Sequence, residues 1–199
     1  MKRSLYRQLK NVIGLLPEGT VVSVADFTDM AKPKTVSKML TRLEKEGEVE
    51  RVMRSIFWKS DGSQPRPNDV AEALARENGW ETAPTNETAL LLFGMEECAP
   101  IVWTYLTNGT NRTYSYGRHT ITFTHTAGKA FGKMAKKTRM LVQCIRAYGK
   151  GCLNGDVSDR LAEKIRGWDL ASLKEETKYA AAWVRTTVSA LCKKAAKSV

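Results

Sequence analysis

Five residues share one side of a short helical segment: Lys34, Lys38, Thr41, Arg42 and Lys45. At about 100° per residue they fall within an arc of roughly 100°, and none of the five is acidic. Thr35 and Ser37 lie in the same segment as further hydrogen-bonding side chains. Guanidinium, ammonium and hydroxyl groups at this density suit phosphate oxygens and the base edges of a DNA major groove, which admits one helix. Val36, Met39, Leu40 and Leu43 occupy the opposite face and would anchor the helix. Glu44 and Glu46 are expected off the arc, leaving it without i, i+4 acid–base pairs. Arg51 and Arg54 follow within a β-prone stretch, where they can reach phosphates or the minor groove.

The residue types for other chemistry are scattered. Cys98, Cys144, Cys152 and Cys192 form no C-x-x-C pair, and His119 and His125 are the only imidazoles, so neither a metal site nor a cofactor is expected. Thr107, Asn108, Arg112, Tyr114, Tyr116, Arg118 and His119 are polar types that enzymes use. However, no Asp or Glu lies between Pro100 and Ile145 to bind a catalytic metal. Phosphate-loop, dinucleotide and nucleophile-elbow motifs are absent from the sequence. The chain is expected not to be an enzyme.

The elements that position these residues follow from period and punctuation. Leu5, Leu9, Val12, Ile13 and Leu16 have helical spacing, and Pro17-Glu18-Gly19 stops that helix. Thr20–Val22 reads as a short strand. Ser23 and Asp26 form an S-x-x-D start signal for a second short helix through about Met30. The basic helix is expected over residues 34–46 with Gly47 as its cap. Val49–Val52 and Ile56–Trp58 read as a hairpin. Helix, strand, helix, helix, hairpin is the order of a winged helix-turn-helix, assigned to residues 1–60. Residues 61–67, polar and proline-bearing, are expected to link it to a second domain over 68–199. There, helices over 69–78 and 87–93 precede three successive strands over 101–107, 112–116 and 119–125. Helices return from Thr138, including starts at Ser158 and at Ser172-x-x-Glu175. The expected fold class is α+β: a winged helix, then a mixed α/β domain with a small, mainly antiparallel sheet and C-terminal helices.

The run Leu40-Thr-Arg-Leu-Glu-Lys-Glu-Gly47, followed by Val49, Arg51-Val52 and Arg54-Ser-Ile-Phe57, resembles the winged helix of AbiEi-type antitoxins of type IV toxin–antitoxin (abortive infection) systems, a group that includes related winged-helix proteins of unassigned function. The family pattern is roughly R-L-x-x-x-G-x-I-x-R-L-x-R-G-x-Y; Ser55 stands at its usual glycine and Phe57 at its usual tyrosine. Thr82–Thr85, Ala89-Leu-Leu, Tyr105–Gly109, Arg112 and Ile121–His125 resemble that family's second region, with Asn108 at a usual Asp, so the resemblance covers about residues 5–150. It implies a DNA-binding antitoxin that represses its own promoter on double-stranded DNA. The implied partner is a nucleotidyltransferase-type toxin from the same operon, countered directly or indirectly. The alternative expectation is a winged-helix regulator, or an RNA- or protein-interaction module, without a toxin.

The 199-residue chain has a formal net charge of +11. By segment this is +5 over residues 1–60, −4 over 61–127 and +10 over 128–199. A second basic face is therefore expected near the densest run, Lys133, Lys136, Lys137 and Arg139, facing DNA phosphates, an acidic protein or RNA. No apolar run is long enough to span a membrane and no signal peptide is expected, so the chain reads as cytoplasmic.

Overall fold

The computed structural model describes residues 4–127 and 134–197. The fold is α+β, and the chain divides into two compact units, Met1–Glu81 and Thr82–Val199.

The first unit is a winged helix-turn-helix. Helix α1 (Leu5–Leu15) is capped by Ser4, whose Oγ accepts the Arg7 N–H. Strand β1 (Val21–Ser23) leads into a 3-10 turn at Val24–Phe27, shorter than the helix expected to run to Met30. At its start the Ser23 N–H donates to Asp26 Oδ2 at 2.8 Å, one arm of the anticipated box. Helix α2 (Pro33–Lys45) begins on Pro33, whose ring pre-sets φ and whose missing N–H costs nothing there. Gly47 ends it at φ +75, with Gly47 N–H donating to Glu44 O and Glu48 N–H to Leu43 O, a Schellman pair. Val36, Leu40 and Leu43 are fully buried with Leu9, Ile13, Val49 and Phe57. Each such aliphatic side chain contributes about 1.5–3 kcal/mol on leaving water.

Strands β2 (Glu50–Met53) and β3 (Ile56–Trp58) form the wing hairpin, and the sheet order is β1-β3-β2, all antiparallel. Helix α3 (Pro67–Glu77) buries Val70, Ala71, Ala73 and Leu74 and packs against β1, β3 and the 3-10 turn. The division expected at residues 61–67 therefore lies inside the first unit, which runs on to Glu81.

In the second unit, β4 (Thr82–Pro84), β5 (Val102–Thr107), β6 (Arg112–Tyr116) and β7 (His119–His125) form a sheet of order β4-β5-β7-β6. Strands β5, β6 and β7 lie where the sequence predicted them, β4 was not anticipated, and β5 and β6 do not pair across Asn108-Gly109. Instead β7 inserts between them, parallel to β5 and antiparallel to β6. The loop is tied down by β7: His125 N–H donates to Asn111 Oδ1, and His125 Nδ1 lies 2.6 Å from Gly109 O. Tyr105 and Phe123 stack at the sheet centre, 5.5 Å apart.

Helices α4 (Asn86–Leu92), α5 (Lys136–Tyr148), α6 (Gly155–Lys164), α7 (Leu170–Glu176) and α8 (Ala182–Lys197) complete this unit. Their core joins Leu141, Ile145, Leu161, Ile165, Leu173, Val184, Val188 and Leu191. Two helices are capped ahead of the expected residues, α6 four residues before Ser158 and α7 three before Ser172. Asn154 Oδ1 caps α6 through the Val157 N–H, and Asp169 Oδ1 caps α7 through Ala171 and Ser172 N–H. Asn and Asp cap as readily as serine, and each accepts amide N–H groups of the first turn from outside the helix.

Candidate nucleic-acid interface

Helix α2 carries the predicted cations on its solvent side. Lys34, Thr35, Lys38, Arg42 and Lys45 are exposed, whereas Ser37 and Thr41 are half-buried. Thr41 Oγ1 donates to Ser37 O at 2.9 Å, so this hydroxyl's proton is committed to its own helix.

Arg51 on the wing and Arg42 on α2 are not bare. Arg51 reaches from β2 to α2, its Nη2 at 2.7 Å from Glu44 Oε2 and 2.9 Å from Thr41 Oγ1, with Nε 3.1 Å from both Glu44 oxygens. Its guanidinium lies 4.4 Å from the Phe57 ring centroid. Arg42 Nε donates to Glu46 Oε1 at 3.0 Å, and its guanidinium sits 4.0 Å over the Tyr6 ring. The expectation that the arc lacks i, i+4 acid–base pairs is thus corrected. Glu46 lies one turn beyond Arg42 on the adjoining flank, and a long arginine side chain closes the gap.

Glu46 also anchors α1. Lys10 Nζ lies 2.9 Å from both Glu46 Oε2 and Glu48 Oε1. The Tyr6 side chain beside it, then hydrogen bonding from Lys10, holds the Glu46 carboxyl down at about 2. Sequence reading did not single out Tyr6, and it set Glu44 and Glu46 aside as off the arc; the i, i+4 spacing of Arg42 and Glu46 was the available signal for one of them.

Lys34, Lys38, Lys45 and Arg54 have no ion pair among the described residues, and all four are exposed. Lys32, which precedes α2, shares both properties and was not anticipated. Arg54 and Ser55 form the hairpin turn between β2 and β3. Ser55, standing where the resembling pattern has glycine, adopts φ +64, and its carbonyl accepts the Val24 N–H at 3.0 Å. The turn therefore presents Arg54 at the wing tip through a conformation that glycine adopts without strain.

The 3-10 turn that precedes α2 is fixed from behind. Arg76 of α3 donates through Nε to Asp26 Oδ1 at 2.8 Å and through Nη2 to Val21 O at 3.0 Å. Glu77 Oε2 accepts the Ala25 N–H at 2.9 Å.

The second predicted face is less coherent. Lys133 lies outside the described residues. Lys136 and Lys137 are exposed in the first turn of α5, with Lys137 Nζ 5.1 Å from the Trp168 ring centroid. Arg139 is half-buried, two positions on and pointing to another side of the helix. Among the described residues, no cluster of three or more His, Cys, Asp or Glu could hold a metal ion. No described helix is long and apolar enough to cross a membrane.

Fold and surface together define a winged helix-turn-helix protein with unpaired cations on its second long helix and wing, continued by a separate α/β unit. The chain belongs to a family of unknown function (DUF6088), which matches residues 8–177 and so spans most of both units. No curated protein matches it.

Proposed function

We propose that the chain is a DNA-binding antitoxin of a type IV toxin–antitoxin system, which represses its own promoter and counters a nucleotidyltransferase-type toxin encoded beside it. The observation that carries the DNA-binding part is the set of unpaired, exposed cations Lys34, Lys38, Lys45 and Arg54 on α2 and the wing tip. A helix about 10–12 Å across fits the major groove, and lysines on its outer face neutralise the flanking phosphates. Arg54 at the hairpin tip suits the backbone or minor groove beside it.

The antitoxin part rests on the resemblance of residues 40–57 and 82–125 to AbiEi-type proteins. In this reading the protein acts in the cytoplasm, needs no cofactor and catalyses nothing. Co-expression with the neighbouring gene tests it: growth arrest caused by that gene is relieved by the full chain. A neighbour that is harmless, or a toxin the chain does not counter, contradicts the antitoxin part and leaves the DNA-binding part to its own test. Protection by residues 82–199 alone would place neutralisation in the second unit.

A further inference from the structure

Two acids flank the basic arc of α2, Glu44 in its last turn and Glu46 at its C-cap, and each holds an arginine. Glu44 takes Arg51 with both carboxylate oxygens, while Thr41 and the Phe57 ring occupy the remaining sides of that guanidinium. Glu46 takes Arg42 over the Tyr6 ring. Both acid side chains stay about a third exposed, 29% for Glu44 and 32% for Glu46, so their charge is visible to an approaching polyanion.

We infer that Glu44 and Glu46 are positioning residues that set how well the site discriminates one DNA sequence from another: they keep Arg51 and Arg42 off phosphate, so the indiscriminate charge of α2 and the wing comes from the unpaired Lys32, Lys34, Lys38, Lys45 and Arg54. This rests on the DNA-binding reading above. An unpaired lysine gains the full release of counterions when it meets a phosphate. A carboxylate-bound arginine must first give up bonds of equal kind, so its net gain is small. The uncovered carboxylates also repel phosphate until base contacts compensate, which penalises every duplex but the matching one. The Tyr6 and Phe57 rings add a cation–π contact to each guanidinium in that state.

The test compares wild type with Glu44→Gln and Glu46→Gln on the chain's own upstream duplex and on a scrambled duplex of equal length, by fluorescence anisotropy over a salt series. Each variant is expected to bind the scrambled duplex about fivefold more tightly near physiological salt, with a salt slope steeper by about 0.9, the value of one added phosphate contact. Affinity for the upstream duplex should rise less, so the ratio between the two duplexes falls. Weaker or unchanged binding of the scrambled duplex by both variants, with thermal melts showing them folded, would mean the acids only brace the fold and overturns the inference. Glu46→Gln stands as the independent arm if Glu44→Gln melts below the assay temperature. A wild type that binds no duplex, and a Lys38→Ala variant indistinguishable from it, would remove the DNA-binding reading itself and this inference with it.

Discussion

Ser55 shows what one side chain contributes at the wing. It holds φ +64 because its carbonyl is fixed to the Val24 N–H and because the hairpin offers two residues between Met53 and Ile56. A left-handed conformation costs a non-glycine residue about 1–2 kcal/mol, partly offset by the extra unfolded-state freedom of glycine. Ser55→Gly should therefore raise stability by about 0.5–1 kcal/mol, read as a higher urea midpoint at unchanged slope. A lower midpoint would mean that the Ser55 side chain contributes more than its backbone costs. The strain was foreshadowed by comparison with a glycine-bearing pattern. The engagement of Arg51 was not: its partners Glu44 and Thr41 are seven and ten residues away, across the Gly47 turn and the start of β2. Helical geometry gives Lys34, Lys38 and Lys45 their common side, but says nothing about what a strand on the far side of a turn brings back to that helix.

Elements are joined by contacts of the same kind. Lys10 on α1, Arg42 on α2 and the Tyr6 ring all converge on Glu46. A carboxyl whose folded value lies near 2, against 4.5 as reference, contributes stability at pH values above its unfolded value; that contribution drains away as pH falls from about 4.5 towards 2. Wild type should therefore melt above Glu46→Gln at neutral pH, and the gap should close across that acid window. A gap independent of pH would assign the difference to something other than the charge.

Helix α3 carries a second test at this scale. Its apolar residues and the Arg76–Asp26 pair make it part of the first unit. A fragment ending at Glu81 should melt cooperatively. One ending at Arg66 should lose several kcal/mol, since at least Val70 and Leu74 each bury about 1.5–3 kcal/mol of apolar surface. Equal melts would place the division at the polar stretch instead. Composition marked that stretch as a linker because Ser, Asp, Gly and Pro cluster there. The helix beyond it has an ordinary amphipathic pattern, which reveals a buried face without revealing its partner. For the same reason β5, β6 and β7 were legible in the sequence, while the short edge strand β4 and the insertion of β7 between β5 and β6 were not: pairing order is a long-range property.

At the scale of the whole molecule, the charge is unevenly shared. Residues 1–81 carry a net +2 and residues 82–199 a net +9, together the +11 of the chain. The unit read as the DNA binder is thus close to balanced, and its case rests on segregation: acids paired to Arg42, Arg51, Arg76 and Lys10, and lysines left bare on one side of α2. The most direct measurement is a titration of the full chain against its own upstream duplex and a scrambled one, between about 50 and 200 mM salt. Wild type should prefer the upstream duplex and weaken steeply with salt, and Lys38→Ala should flatten the slope by about 0.9. Equal, weak binding to both duplexes, with a slope that Lys38→Ala leaves untouched, would contradict the assignment of α2 as the helix that meets DNA.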